Sequence, residues 1–206
     1  MATWNTELAH LRLELEEATS SVWDDDALLT WYNDGADDFA TQTKALQGSA
    51  SLTASAGVQS YLLATSTLDV LSVRIGATVL VREDVQSWEA LTVNPFTATG
   101  SPVAYALTGE SIFLRPVPVA ATATVSYFRS YTPARITTVT DSTPFGSKYD
   151  RVIRDYVKSR AFEQINDYES ANFAAQRYQS EIVSAMRQRA VADSRGMTSR
   201  APREVF

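Results

Sequence analysis

The apolar positions fall into two helical stretches, a β-patterned middle, and two further helical stretches. From Thr6, residues Leu8, Leu11, Leu15 and Ala18 recur at the spacing of one helix face, while Glu7, Glu14, Glu16 and Glu17 take the other. This predicts a first helix ending near Thr19. Asp24 is then placed to cap a second helix, with Asp25 and Asp26 in its first turn, where carboxylates meet free N–H groups and the positive end of the helix dipole. Its inward stripe is Leu28, Trp31, Tyr32, Ala36, Phe39 and Ala40, running to about Leu46. The small and turn-forming residues of GSASLTASAG end the helical pattern.

The period then changes. Residues 58–64, 68–75 and 78–82 are short and rich in β-branched residues, and Gly76 with Ala77 falls where a two-residue hairpin loop belongs. A second hairpin is predicted from PVAYALT and SIFLRP around Gly109 and Glu110, followed by a strand over 121–131. Proline donates no ladder hydrogen bond, so Pro116 and Pro118 make RPVPVA a turn or a sheet edge. Helical spacing returns with Tyr149, Val152, Ile153, Tyr156, Ala161 and Ile165, breaks at Asn166 and Asp167, and resumes with Ala171, Ala175, Tyr178, Ile182 and Ala185. The last helix is expected to fade around Val191. The segment DSRGMTSRAPREVF has little apolar surface to offset an ordering cost of roughly 1–2 kcal/mol per residue, so it reads as a mobile arm.

Charge divides the chain. The net charge is -6, and the ten acids from Glu7 to Asp38 face only Arg12 before Lys44. Arg187, Arg189, Arg195, Arg200 and Arg203 reverse the sign at the other end. The overall balance argues against a whole-protein nucleic-acid footprint, which needs a basic face. There is no cysteine, which excludes disulfides, thiolate nucleophiles and Cys-based metal sites. The first residues lack the basic start and apolar core of a signal peptide, and no apolar run approaches the roughly 20 residues that span a bilayer. A soluble protein made in the cytoplasm, with no membrane partner, is expected.

Candidate chemistry is sparse. His10 is the sole histidine and has no nucleophile motif beside it, which favours a surface role. The Asp24–Asp26 run lacks the ligand spacing of a calcium loop, and helix capping explains it. Asp37 and Asp38 point about 100° apart on a helix and do not form a paired acid and base; a solvated face suits them. No phosphate-binding glycine motif is present. The aromatics Tyr61, Trp88, Tyr105, Phe113, Tyr127, Phe128 and Tyr131 suit packing better than a sugar-binding platform. No catalytic residue, metal site or cofactor is assigned. Arg195, Arg200 and Arg203 differ, because no helix face or core explains them; they read as a solubilising tail or as a docking arm. The fourteen residues from Asp193 to Phe206 reach up to roughly 45 Å when extended. Arginine supplies bidentate contacts to acidic surfaces, with Val205 and Phe206 as an apolar anchor.

The order of elements resembles the adaptor proteins that sit below the portal in tailed bacteriophages, across nearly the whole chain. The resemblance is carried by LRLELEEATSSVWDDDALLTWYNDGADDFA, with its opening helix, Trp-Asp junction and second helix with Asn33 in mid-stripe. It continues through SPVAYALTGESIFLRPVPVAATATVSYFRSY, similar to that family's strand, turn, strand and Pro-x-Pro passage, and closes with the helix pair in PFGSKYDRVIRDYVKSRAFEQINDYESANFAAQRYQSEI. Ala64 departs from the pattern, which has proline there. The resemblance implies a ring, usually of twelve copies, with helices forming the wall, the C-terminal arm gripping the portal, and the β insertion directed outward or towards the tail. In such a ring, carboxylates lining the lumen let double-stranded DNA pass without sticking. Glu14, Glu16, Glu17, Asp37 and Asp38 are the candidates.

The expected fold is α+β: a bundle of N- and C-terminal helices (1–48 and 147–192), a central antiparallel β insertion (49–146) and a flexible docking arm (193–206) bearing Arg195, Arg200, Arg203, Val205 and Phe206, with Arg187 and Arg189 leading into it. The expected function is non-enzymatic: a head-to-tail adaptor in the virion neck that docks on the portal protein, extends the DNA channel and presents a surface to a tail or nozzle protein. Rival readings are a carbohydrate- or receptor-binding module on the β insertion, another head- or tail-completion protein, and a hydrolase of unfamiliar kind.

Overall fold

The structure, a computed structural model, describes residues 2–17, 22–89, 97–119 and 122–198; residues 89, 122, 147 and 191–198 are described by their backbone alone. The chain divides into two compact units, one formed by Met1–Ala45 with Pro133–Phe206 and the other by Leu46–Thr132. Helices and mainly antiparallel sheets, with two short parallel pairings, make the fold α+β.

The first unit is helical. Helix α1 spans Trp4–Glu14, two residues earlier than its spacing predicts at the start and several shorter at the end. The early start follows from Trp4 N–H donating to the Asp141 carbonyl, and the early stop from Glu16, whose φ of 55° is left-handed. Helix α2 spans Asp25–Thr43. Its predicted cap is present: Asp24 Oδ1 accepts from the Ala27 N–H at 2.6 Å. Lys44 turns left-handed and ends it before Leu46.

Helix α3, Val85–Glu89, belongs to the second unit. Helices α4, Ser147–Gln164, and α5, Tyr168–Thr198, complete the first. Asn166 at φ 62° and an Asp167 cap on the Ser170 N–H separate these two helices at the predicted break. Leu11, Leu28, Tyr32, Phe39, Ile153, Val157 and Ile182 are buried in this unit. Ile165, expected inside, is 46% exposed, and Ala174 is buried where Ala175 was expected to be.

Residues 133–146 belong with the helices, which corrects their assignment to the insertion. Ile136 and Phe145 are buried there, and Phe145 meets Phe39 edge-on at 5.3 Å. Thr143 N–H donates to the Ala2 carbonyl, sewing this segment to the start of the chain.

The second unit holds two four-stranded sheets. The first has the order β1 (Gln47–Ser55), β10 (Thr122–Tyr131), β3 (Thr67–Ile75) and β4 (Thr78–Val79). The second has the order β2 (Ser60–Leu62), β8 (Ser111–Arg115), β7 (Ala104–Thr108) and β5 (Val81–Arg82). A small pair joins β6 (Thr99–Gly100) to β9 (Val117–Pro118). Both predicted hairpins form: Ile75 pairs with Thr78 around Gly76 and Ala77, and Thr108 with Ser111 around Gly109, whose φ is 58°. After β8 ends at Arg115, the described residues of RPVPVA form just the two-residue β9, in keeping with the prolines.

One core spans both sheets, with Val70, Val73, Val125 and Tyr127 from the first and Tyr105, Ile112 and Leu114 from the second. Strand β1 occupies most of GSASLTASAG, where the sequence predicts an end to the helical pattern and no strand. Ala50, Leu52 and Ala54 pack on the core side, and nine residues pair with β10 without interruption. Helix α3 was not anticipated either.

Candidate docking and channel surfaces

Both acids of α1, Glu7 and Glu14, are ion-paired to α4. Glu7 is buried at 3% exposure and pairs with Arg154 of α4 at 2.5 Å. Arg154 Nε also reaches Glu14 at 2.9 Å, and Lys158 Nζ bridges Glu14 at 2.7 Å to Asp155 at 2.8 Å. Arg177 of α5 closes the chain on Asp155 at 3.4 Å. Alternating charges thus link α1, α4 and α5. Burial alone pushes the Glu14 carboxyl up, but Lys158 and Arg154 together hold it below its ordinary value. Arg154 is correspondingly raised: its bonds to Glu7 and Glu14 outweigh burial.

Beside this chain lies a polar knot. Asp150 is fully buried and accepts from Tyr32 Oη at 2.9 Å and Thr143 Oγ at 3.1 Å. Burial raises its carboxyl despite these two donors, and nearby Glu7 adds to the effect. Burial and Asp150 together raise the Tyr32 hydroxyl. These groups hold helices together; they do not converge on a reacting centre.

The five candidate channel acids have different fates. Glu14 is engaged as described. Glu17 is buried, paired with Arg12 at 3.0 Å, and accepts from the Val22 N–H. Asp37 lies 3.5 Å from Arg135, which also holds Asp34 at 2.9 Å. Asp38 accepts from Tyr178 Oη at 2.6 Å and from Gln42. Burial and Asp38 raise the Tyr178 hydroxyl. Glu16 alone of the five is exposed with no side-chain partner among the described residues.

The arginines also separate. Arg189 Nη1 donates to the Thr43 carbonyl at 2.9 Å and reaches that of Lys44 at 3.4 Å, so it ties α5 to the carbonyl end of α2. It is part of the bundle, which corrects its place in the arm. Arg187 is exposed. Helix α5 continues to Thr198, beyond the predicted fade at Val191, so the backbone of 193–198, with Arg195, is helical and not a loose arm. Arg200, Arg203, Val205 and Phe206 lie outside the described residues.

Other candidates resolve simply. His10 is half exposed, 3.6 Å from Glu7. Trp88 and Tyr105 are buried, and Trp88 Nε1 donates to Glu83, so packing takes up these two of the candidate platform's seven aromatics. A groove of about 650 Å3 runs along α1 beside Leu8, Ala9 and Leu13, and Leu13 is 78% exposed. Among the described residues no group of three or more His, Asp or Glu is placed to hold a metal ion, and no helix is long and apolar enough to cross a membrane.

No curated protein matches the chain. The family model for the SU10 adaptor protein matches residues 6–203, which takes in both helical ends and the whole β unit. The helix pairs, the Trp-Asp junction and the β7–β8 hairpin that carry the phage-adaptor resemblance are formed in the structure and fall in the matched region. The chain therefore belongs to the SU10 adaptor protein family, and is a phage adaptor and virion component.

Proposed function

We propose that this protein is a structural, non-enzymatic head-to-tail adaptor that assembles as a homo-oligomeric ring in the virion neck. It docks on the portal protein through the end of α5 and the residues after it, extends the DNA channel, and offers its β unit to a tail or nozzle protein. The observation that carries this reading is the length of α5. Its last buried side chain among the described residues is Ala185 and its last described tether is Arg189, yet the backbone stays helical to Thr198. Nine residues of helix past Arg189 advance about 13 Å at 1.5 Å per residue. Arg195 lies on this extension, and Arg200, Arg203, Val205 and Phe206 follow it. Arginine forks followed by the apolar pair Val205 and Phe206 suit an acidic, partly apolar groove between portal subunits.

The channel reading narrows to Glu16, with Asp34 and Asp37 only partly neutralised by the shared Arg135. Carboxylates there repel phosphate, whereas lysine or arginine would bind it through counterion release. Electron microscopy of the protein mixed with its portal tests the whole reading. The expected image is an added ring beneath the portal with α5 ends entering it; a portal unchanged by the protein contradicts it.

A further inference from the structure

Strand β1 is the outer strand of its sheet, and its free edge is unlike the other sheet edges among the described residues. Strands β4 and β5 end their sheets with two residues each, and β2 with three. Such short edges offer little to an incoming chain. Strand β1 runs nine residues, pairs with β10 from Gln47↔Ser130 to Ser55↔Thr122 without a register shift, and contains no proline and no charge.

The ladder fixes which backbone groups are free. Tyr131 N–H donates to the Leu46 carbonyl, and antiparallel pairs alternate between bonded and non-bonded, so Gly48, Ala50, Leu52 and Ala54 turn their backbone groups to β10. Gln47, Ser49, Ser51, Thr53 and Ser55 turn theirs outward. Ser55 is closed by Tyr61 Oη, which bonds both its N–H and its carbonyl. The backbone groups of the other four have no hydrogen-bond partner among the described residues.

These four residues are symmetric about Ala50. We propose that the β1 edge binds the β1 edge of a second copy of this chain, antiparallel and centred on Ala50, so that two sheets join into one across a two-fold axis. In that register Gln47 meets Thr53 and Ser49 meets Ser51, and each of the four pairs exchanges two hydrogen bonds. On the other face Gly48 meets Leu52 and Ala50 meets Ala50, a small residue opposite each larger one. Because β1 carries no charge, antiparallel copies never set like charges opposite one another. A shifted register leaves at least one free donor and acceptor at each end. A pair of this kind is isologous, unlike the head-to-tail contacts that close a ring, so it is a state of the free protein that covers the edge before assembly.

Sedimentation of the full-length chain over a concentration series tests this, with Ser51→Pro as the diagnostic variant. The Ser51 N–H points outward and serves no bond in the monomer, so proline there leaves the β10 ladder intact and removes a central donor from the pair. Wild type is expected to show a monomer–dimer equilibrium, and Ser51→Pro to raise its dissociation constant at least about tenfold with an unchanged circular dichroism spectrum. A wild type that stays monomeric, or a dimer that Ser51→Pro leaves unaltered, overturns the proposal. Amide exchange on wild type gives a readout independent of the variant's folding. The Ser49, Ser51 and Thr53 amides are expected to be protected in the dimer and to lose protection on dilution; fast exchange at all concentrations overturns it.

Discussion

Asn33 on α2 grips both backbone groups of Ile136: its Nδ2 donates to the Ile136 carbonyl at 3.0 Å, and the Ile136 N–H donates to its Oδ1 at 2.9 Å. Both residues are buried, so neither backbone group has water to fall back on. Replacing Asn33 with Ala strands a donor and an acceptor at once. Chemical denaturation is expected to show a loss of about 2–4 kcal/mol, and Asn33→Asp, which keeps the acceptor but not the donor, is expected to fold less stably than wild type as well.

Gly35, two residues on, faces the Tyr156 ring of α4. A Cβ at this position would lie 2.7 Å from Tyr156 Cδ1 and 3.0 Å from its Cγ, and the Tyr156 ring is held edge-on against Tyr178 at 5.2 Å. Gly35→Ala gains about 1 kcal/mol of helix propensity. Overpacking at a ring that cannot swing away outweighs this, for a net destabilisation of about 1–2 kcal/mol in the same assay.

Two carboxyls give opposite pH dependences. Glu14 has a folded-state pKa below its unfolded value, so its stabilisation is present above that unfolded value of 4.5 and is lost as pH falls through the folded one. Glu14→Gln should flatten the acid limb of a stability-versus-pH curve. Asp150 is raised above 3.8, so the folded state binds the extra proton and stability declines as pH climbs from 3.8 through the raised value. Asp150→Asn should therefore compare best with wild type at neutral pH and worst below pH 3.8. A gap between variant and wild type that is constant across this range contradicts the assignment.

Arg187 and Arg189 look alike in sequence and are predicted to differ in kind. Arg189 places charge at the negative end of α2 and bonds its terminal carbonyl, so Arg189→Ala should cost about 1–2 kcal/mol in thermal or chemical melts. Arg187 is exposed, and Arg187→Ala should stay within about 0.5 kcal/mol.

Helices were legible because their signals are local. Asp24, Asp167 and the Leu28–Phe39 stripe need only neighbours in sequence to be read. Hairpins with Gly76 and Gly109 were legible for the same reason. Strand β1 was not, because Gly48, Ala50 and Ala54 are weak strand formers and what holds them is β10, some seventy or more residues away. The electrostatic readings failed similarly. Periodicity placed Glu7 and Glu17 off the apolar stripe of α1, but Arg154 lies on another helix and only the fold shows that it meets Glu7. Asn33 was visible as a polar interruption in a buried stripe, but its partner Ile136, 103 residues away, was not.

The central claim is that the end of α5 and the residues after it join the protein to the portal while contributing little to the fold. A chain ending at Ala192 keeps Ala185, Arg189 and every described tether of α5, and removes the helical extension with Arg195, Arg200, Arg203, Val205 and Phe206. Co-sedimentation with portal rings is the direct measurement. The truncated chain is expected to melt like the full-length protein and to remain in the supernatant when portal rings are pelleted; pelleting with the portal to the same extent as the full-length chain would contradict the account.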